Sequence, residues 1–290
     1  MNITCRQGRI EDLPRLLEIE ASAIPGNRYL EGVKDLFFDN SHGELIVAET
    51  EGLPIGFARF TLQYDGAAWL EILRVHKDWQ RKGCGRVIWN RFMELAKQYK
   101  VPAMRMYTGE KNVASRSLAE QNGLHVAWHT LEGTLPREAC IGDVSLYTLS
   151  PCIGDVSLCT FSQVTDPAET AALLEPFAQD YHGYFCSNRT YYEMNDAVYA
   201  GVTKDFTVWK KDGSALVTGA RFLKERGLNL CTFGGDLKAC VQQAVRVFAA
   251  TELPKLTVMI SAEDEARRQA LEEEGFTFMS PGIIMLERRF

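Results

Sequence analysis

Residues 75–86 read VHKDWQRKGCGR and join a predicted strand to a predicted helix. The strand is the apolar, β-type run Trp69–Val75, and the helix is an amphipathic pattern from Gly85 to about Tyr99. Gly83 and Gly85 allow the backbone between them to turn tightly with its N–H groups pointing inward. Those groups, together with the positive end of the helix dipole, predict a cradle for an anion.

Basic side chains surround this turn and strengthen the prediction. They are Arg81, Lys82 and Arg86, in a chain whose formal net charge is −6. A local excess of positive charge in an acidic protein favours a small anionic ligand such as a diphosphate over a long polyanion. A Gly-x-Gly turn before a helix is by itself equally compatible with a purely structural role.

The first half of the sequence alternates strands and helices in an order that the turn helps to define. Helices are predicted over Glu11–Ala21, Tyr29–Phe38, Gly85–Tyr99 and Val113–Asn122. Strands are predicted at residues 2–5, Glu44–Glu49, Pro54–Tyr64, Trp69–Val75, Pro102–Thr108, Leu124–Leu131 and Val144–Leu149.

Three stretches of this half resemble the GCN5-related N-acetyltransferase superfamily. Residues 80–85, QRKGCG, are similar to its Q/R-x-x-G-x-G/A signature, and residues 67–75, AAWLEILRV, stand where its fourth strand is expected. Residues 112–124, NVASRSLAEQNGL, resemble its second motif, and residues 3–20 resemble its first strand and helix. The resemblance covers residues 1–150. It implies an α/β fold with a central mixed, mostly antiparallel sheet flanked by helices.

The resemblance also implies how acetyl-CoA would bind. Backbone groups of Leu73 and Val75 are expected to pair with the pantetheine arm, and Asn112 and Ser115 to contact the pantetheine or the phosphate end. The remaining cofactor-binding residues are expected in the turn, where backbone N–H groups would hold the pyrophosphate: Gln80, Arg81, Lys82, Gly83, Cys84, Gly85 and Arg86.

The implied reaction is direct acetyl transfer to an amine. A lysine-like amine has a pKa of about 10.4 and is almost entirely protonated at neutral pH, so a base is needed. Glu71 is the candidate, with a solvent-facing or ion-paired strand residue as the alternative. The Leu73 N–H is the expected hydrogen-bond donor to the acyl oxygen, which becomes negatively charged in the tetrahedral intermediate. We expect no catalytic role for Cys84.

One position departs from the family pattern. Many members carry a tyrosine seven residues after the motif asparagine, where it protonates the leaving thiolate, but this chain has Ala119 there. Ser115, Ser117 and Tyr107 are possible substitutes, and water is another. We count Ser115 among the candidate catalytic residues.

The second half repeats the order of elements, which predicts two domains of one fold, at residues 1–150 and 151–290. Helices are expected at Ala168–Asp180, Thr190–Ala200, Leu237–Thr251 and Glu265–Glu274, with strands between them and at Phe276–Phe290. The counterpart of the phosphate turn is Phe233–Lys238, which carries Asp236 where a diphosphate would bind. Residues 151–290 are therefore predicted to be a degenerate acetyltransferase-like domain that shapes the acceptor cleft or holds a dimer.

Two further features of this half leave alternatives open. The aromatic residues Tyr181, Tyr184, Phe185, Tyr191 and Tyr192 are expected either to line the acceptor cleft or to pack in the core. Residues 140–151 and 152–163 are identical at nine of twelve positions, a local repeat expected to close one domain and open the next.

Composition limits the classes of protein to consider. The chain has 290 residues, 46% of them hydrophobic and 24% charged, which is typical of globular domains. Neither a secretory signal nor a membrane span is evident, and the eight cysteines form no CxxC pair, so we expect reduced thiols in a cytoplasmic protein. No metal ligand spacing is present, and the negative charge argues against nucleic-acid binding.

The function expected is therefore acetyl-CoA-dependent N-acetylation of a small-molecule amine. Tyr29, Glu31 and Asp35, near the predicted mouth of the site, favour a cationic acceptor. The alternatives are a CoA-binding sensor or scaffold without activity, suggested by Ala119, and a site for another phosphate ligand such as a nucleotide.

Overall fold

The computed structural model describes residues 2–26, 29–140 and 161–290. The chain forms two compact units. The first comprises Met1–Tyr107, Ala114–His125 and Leu286–Phe290, and the second comprises Thr108–Val113 and Val126–Met285. The predicted boundary between residues 150 and 151, the predicted strand Val144–Leu149 and all but the end of the 140–163 repeat lie outside the described residues.

The first unit is built on a mixed sheet flanked by helices. Its strands are β1 (Thr4–Gln7), β2 (Gly43–Thr50), β3 (Leu53–Leu62), β4 (Ala68–Val75) and β5 (Ala103–Gly109). Its helices are α1 (Leu13–Ala23), α2 (Tyr29–Phe38), α3 (Cys84–Tyr99) and α4 (Val113–Gln121). Strands β1 to β4 pair antiparallel in sequence order, and β5 joins β4 in parallel. The mixed, mostly antiparallel fold class predicted from the sequence is confirmed.

Helix α3 follows the sequence pattern that predicted it. Its apolar positions recur at helical spacing, and Ile88, Phe92 and Leu95 are buried. The ring of Phe92 lies 6.3 Å from that of Phe60 on β3, so this face of the helix packs on the sheet. The helix therefore has a fixed position behind the strands, and its N-terminus is held at the end of β4.

Three buried charged side chains form an ion cluster at β5. Arg105 on β5 donates to Asp65, from the β3–β4 turn, and at 2.6 Å to Glu287 near the end of the chain. The side chains of Arg105 and Asp65 are 1% exposed and that of Glu287 is 8% exposed. Two buried carboxylates share the Arg105 guanidinium, and Glu287 also pairs with Arg289 at 2.7 Å. Removing Arg105 would take away the buried cation that the two carboxylates share.

The second unit contains the remaining elements. Its strands are β6 (His125–Pro136), β7 (Ser162–Val164), β8 (Tyr184–Ser187), β9 (Thr190–Glu193), β10 (Thr207–Lys211), β11 (Ser214–Gly219), β12 (Leu228–Gly234), β13 (Lys255–Ser261), β14 (Thr277–Phe278) and β15 (Ile283–Arg289). Its helices are α5 (Arg137–Cys140), α6 (Pro167–Leu174), α7 (Asp196–Asp205), α8 (Leu237–Ala249) and α9 (Glu265–Glu273). The strand order is β6-β13-β12-β11-β10-β7, with β12 and β13 parallel and β8 paired with β9 in a separate hairpin. The last residues of β15 belong to the first unit.

The predicted helix over Thr190–Ala200 is wrong in its first half. Thr190–Glu193 is strand β9, which pairs with β8 across a two-residue turn. The turn residues Asn188 and Arg189 have φ of 50° and 59°, the left-handed conformation that tight hairpins require. Asn195 then caps helix α7 by accepting a hydrogen bond from Val198 N–H at 3.0 Å. An Asn-Arg turn lacks the glycine that usually marks such hairpins.

Two other expectations for this unit are refined. The helix predicted over Ala168–Asp180 is α-helical only to Leu174 and continues as a 3-10 helix, Glu175–Tyr181, because Pro176 has no N–H to donate. The five aromatic residues Tyr181, Tyr184, Phe185, Tyr191 and Tyr192 are all buried, so they pack in the core. Among the described residues, no helix combines the length and apolar character needed to cross a bilayer.

The ion cluster yields a stability prediction. Arg105→Met should lower the free energy of unfolding by about 3–5 kcal/mol, because Asp65 and Glu287 would lose the buried cation that they share. The control is Arg116→Met, which removes an exposed pair with Glu120 and should cost at most about 1 kcal/mol. Urea denaturation of the three proteins measures both changes. Equal, small effects of the two substitutions would contradict the structural role of the cluster.

Candidate active site

Strand β4 contains a β-bulge at its centre. In the β3–β4 ladder Glu71 lies opposite Arg59 and Arg74 lies opposite Phe57, so two residues of β4 face one of β3. At the bulge Ile72 has a φ of 55°, in the left-handed region, although its side chain is β-branched and buried. Such a conformation costs on the order of 1–3 kcal/mol and persists at functional sites.

Strands β4 and β5 separate just before the bulge. Their parallel pairing includes only Ala68 with Met104 and Trp69 with Arg105. Beyond that point, Leu73 has no partner residue on either neighbouring strand in the described part of the sheet. The two strands therefore form an open wedge whose β4 side is a backbone edge.

Two carbonyl groups at the end of β4 are hydrogen-bonded to nearby side chains. Leu73 O accepts from Arg74 Nη1 at 3.0 Å, and Val75 O accepts from Gln80 Nε2 at 3.2 Å. Both donors are long side chains next to the wedge, so a ligand amide could replace them without a change in the strand. The pairing of Leu73 and Val75 with pantetheine stays a prediction.

The turn that follows β4 delivers the chain to the N-terminus of α3. Gly83 is the N-cap residue, with a φ of 92° that favours glycine, and Arg81 has a φ of 60°. The first helical hydrogen bond runs from Val87 N–H to Gly83 O, at 3.2 Å. The N–H groups of residues 84–86 precede that bond, so they lie outside the helical ladder and can bind an anion.

The charges at this turn fit an anion. The first turn of α3 has no acidic residue, and no side chain caps the helix. Arg81 and Lys82 are exposed, and Lys82 Nζ lies 5.2 Å from the centre of the Trp79 ring. Arg86 is on the first turn of the helix itself. The predicted residues Gln80–Arg86 therefore form one continuous segment around the helix N-terminus.

The side chain of Cys84, in this segment, points into the protein. Its side chain is buried under the sheet, so close to Gly56 that a Cβ on that glycine would lie 2.7 Å from the sulfur. Burial raises the pKa of Cys84 to about 11, so the thiolate is scarce at neutral pH. The Cys84 side chain therefore packs against β3, and the predicted binding of a pyrophosphate by the backbone N–H groups of this segment stays a prediction.

Glu71 lies beside the bulge on a face that other polar groups organise. Its Oε1 accepts a hydrogen bond from the Thr61 hydroxyl at 2.9 Å, and Arg59 Nε donates to the same hydroxyl at 3.3 Å. Arg59 also donates to Phe37 O at 2.9 Å and Asp39 O at 2.8 Å, at the end of α2. The carboxylate is thus half-buried and oriented on the face of the sheet that α2 covers.

The candidates for the proton donor are placed differently. Ala119 is completely buried in α4, where its carbonyl accepts from Asn122 N–H and Leu124 N–H, so this position packs the helix. Ser115 is half-buried on the same helix. Tyr107 on β5 stacks on Trp69, with ring centres 6.2 Å apart.

Asn112 lies in the turn between β5 and α4. Its N–H donates to Gly109 O at 2.9 Å, and the residue has further interactions within the structure. No catalytic or binding role of Asn112 or Ser115 follows from these contacts, so their roles stay predictions.

The sequence did not mark Arg74 as a site residue. Burial lowers the pKa of Arg74, and the nearby charges of Glu20, Tyr107 and Tyr29 oppose this effect. The ladder places Arg74 opposite Phe57, on the face of the sheet that Arg59 also occupies. The available signal was a lone arginine in the otherwise apolar end of the strand, ILRV.

The second unit also has a strand with a bulge at the corresponding place in its ladder. Thr232 of β12 lies opposite Val217 and Leu230 lies opposite Thr218, which leaves Cys231 as the extra residue. The parallel pairing of β12 with β13 also stops at Leu230. By its place in the ladder β12 corresponds to β4, and the bulge-and-splay geometry is present in both units.

Side chains of the second unit occupy the backbone edge of β12. Phe233 N–H donates to the Tyr181 hydroxyl at 3.0 Å, and that hydroxyl donates to Phe233 O at 3.1 Å. Arg267 adds two bonds to the same carbonyl, from Nε at 3.2 Å and Nη2 at 3.0 Å. The Phe177 ring lies against Gly234 so closely that a Cβ there would collide with it. The groups that a pantetheine arm would use are bound internally.

The turn after β12 also differs from the turn after β4. Residues 76–83 separate β4 from α3, but only residues 235–236 separate β12 from α8. Asp236 caps α8 by accepting from Ala239 N–H at 3.0 Å, so a carboxylate already satisfies this helix N-terminus. The anion cradle of the first unit has no equivalent here.

Comparison with known proteins agrees with the geometry of the first unit. A profile of the acetyltransferase (GNAT) family matches residues 13–124. No curated protein sequence matches the chain significantly.

Solved structures share the fold over nearly the whole chain. A GCN5-related N-acetyltransferase from Sphaerobacter thermophilus has a TM-score of 0.65 at 11% identity, covering 99% of this chain and 95% of its own. Another, from Anabaena variabilis, has a TM-score of 0.55 at 16% identity, and the match covers 99% of this chain and 73% of that one. A GCN5-related N-acetyltransferase from Kribbella flavida has a TM-score of 0.56 at 11% identity, and the match covers 99% of this chain and 71% of that one. At these identities the likeness shows the fold alone, and the profile match identifies residues 13–124 as a domain of the acetyltransferase (GNAT) family.

Proposed function

We propose that the protein is an acetyl-CoA-dependent N-acetyltransferase that acetylates a small-molecule amine at one site, in the first unit. The observation that carries the proposal is the wedge between β4 and β5, followed directly by the Gly83 turn at the N-terminus of α3. The wedge offers a strand edge for the amides of a pantetheine arm. The turn offers helix N–H groups and basic side chains for its diphosphate.

The residues of β4 would carry the chemistry. Glu71 would accept a proton from the incoming ammonium group, directly or through water, so that the neutral nitrogen can attack the acyl carbon. Leu73 N–H would donate to the carbonyl oxygen as it gains negative charge. When the carbon–sulfur bond breaks, the thiolate would take a proton from water, from Ser115 or from Tyr107, since Ala119 has none to give.

The second unit would not bind a cofactor. Tyr181 and Arg267 fill the backbone edge of β12, and Asp236 caps the helix that would face a diphosphate. These contacts support the interpretation of the second half as a degenerate acetyltransferase domain. The proposal also includes a cytoplasmic location and pairing as a homodimer.

A non-catalytic acyl-CoA-binding sensor or scaffold is the second candidate, and the buried Ala119 favours it. A sensor needs the wedge and the turn but neither the base nor the proton donor. The two candidates differ in the outcome of substituting Glu71.

Gly83→Val tests the cofactor site. A β-branched residue resists the φ of 92°, so the turn should distort and affinity for acetyl-CoA should fall about tenfold or more, equal to about 1.4 kcal/mol. Gly52→Val is the matched control, because Gly52 has a φ of 78°, open space around it and a place in the distant β2–β3 turn. Calorimetric titration measures both. Similar affinities for the two variants would contradict the assignment.

Glu71→Gln tests the base. The amide oxygen can still accept from Thr61, so the fold should be kept while kcat falls about 100-fold or more at pH 7 and acetyl-CoA binding stays unchanged. The residual rate should climb with pH as more of the amine becomes neutral. Steady-state assays over an amine panel measure this, with Glu49→Gln as the control because Glu49 pairs with Arg6 on the first two strands. Full activity of Glu71→Gln would exclude the base, and no activity of the unaltered protein with any amine would support the sensor.

A further inference from the structure

Strands β3, β4 and β5 each carry one arginine, and two of these three guanidinium groups have several hydrogen-bond or ion-pair partners. Arg59 donates to the carbonyls of Phe37 and Asp39 and to the Asn40 side chain. Arg105 pairs with two buried carboxylates. Guanidinium groups removed from water are expected to be matched in this way, because an unpaired buried donor is costly.

Arg74 is the exception. Its Nη1 donates to Leu73 O, but its Nε is buried and has no hydrogen-bond partner in the structure. Burial lowers the pKa of Arg74, and the charge of Glu20 only partly offsets this effect. The Glu20 carboxylate accepts from Leu30 N–H, and no ion pair joins it to Arg74 in the described part of the unit. Arg74 thus holds a partly desolvated charge with unused donors.

The β4 bulge brings Arg74 and Glu71 to the same face of the sheet. In a regular strand, side chains three residues apart point to opposite faces of the sheet. The extra residue in the bulge shifts the alternation by one, so the side chains of Glu71 and Arg74 lie on the same face. Glu71 accepts a hydrogen bond from Thr61, in the network that ends at α2. The charges of Glu20 on α1 and Tyr29 on α2 raise the pKa of Arg74, against the larger effect of burial. Val75 points to the other face, toward Cys84. The candidate base and the unmatched cation are therefore neighbours, about 7 Å apart along the strand.

We propose that Arg74 binds a carboxylate group of the acceptor, so that the amine acetylated at this site belongs to an amino acid or a similar amino-carboxylate. The inference rests on the proposed function and narrows its substrate class. A carboxylate matches the planar fork of a guanidinium and would supply the partner that Nε lacks. The monoanion suits the site better than a phosphate dianion because Glu20 already places negative charge nearby.

The placement of the two groups explains how such an acceptor would be oriented. Arg74 would hold the carboxylate end while the amine end lies toward Glu71 and the Leu73 N–H. A neutral or purely cationic amine would leave the Arg74 charge unpaired. The cationic acceptor predicted from the sequence is thereby narrowed to one that also carries an acidic group.

The test compares α-, β- and γ-amino acids with their amides as acceptors. The amide of each pair has the less basic amine, so a preference for the acid cannot come from the neutral fraction of the amine. The unaltered protein should show kcat/KM at least about tenfold higher for the acid in one or more pairs. Arg74→Met should reduce that ratio to about one without changing the KM for acetyl-CoA, and Arg74→Lys should keep part of it.

Arg15→Met is the matched control, because Arg15 donates to Pro54 O and Glu18 on the surface of α1 and should leave the ratio unchanged. Equal use of acids and amides by the unaltered protein would overturn the inference, as would an equal loss for both substrates in Arg74→Met. Turnover of neither acid nor amide, with acetyl-CoA still bound, would also overturn it. Failure to bind acetyl-CoA would instead remove the proposed function itself. If Arg74→Met does not fold, the acid–amide ratio of the unaltered protein and of Arg74→Lys decides the question.

Discussion

The bulge in β4 is the constraint on which the candidate site depends. Ile72 adopts a left-handed φ that its branched side chain disfavours, and the buried surroundings hold it there. The extra residue has two consequences for the strand. The bulge lies beyond the last paired residues of β4 and β5, so Leu73 has no strand partner. The bulge also puts the side chain of Arg74 on the same face of the sheet as that of Glu71. One backbone irregularity thus relates the cofactor edge, the candidate base and the candidate anchor of the acceptor.

The two units show how a shared fold can keep or lose a ligand site. Both have the bulge and the early end of the parallel pairing, which shows that these features follow from the fold. They differ in what surrounds the strand edge. In the second unit the Tyr181 hydroxyl and the Arg267 guanidinium satisfy Phe233, and Asp236 caps α8. Internal hydrogen bonds therefore replace those that a bound ligand would make.

The sequence predicted those parts of the structure that depend on local chemistry. Glycine spacing and helical periodicity identified the turn and α3, and the family resemblance implied the mixed sheet of the first unit. The Asn188-Arg189 hairpin was missed because neither residue is glycine, and the bulge was missed because isoleucine is typical of regular strands. Contacts between distant segments were also out of reach, such as Arg105 with Glu287, which are 182 residues apart. Arg74 became a site residue only when its missing partner could be seen.

The central claim is that the chain has one cofactor site, formed by the β4–β5 wedge and the Gly83 turn. Calorimetric titration of the purified protein with acetyl-CoA tests it most directly, because the measurement gives affinity and stoichiometry together. The account predicts about one molecule bound per chain, since the equivalent edge in the second unit is filled by Tyr181 and Arg267. Two molecules per chain would contradict the interpretation of the second unit, and no binding at millimolar ligand would contradict the claim as a whole.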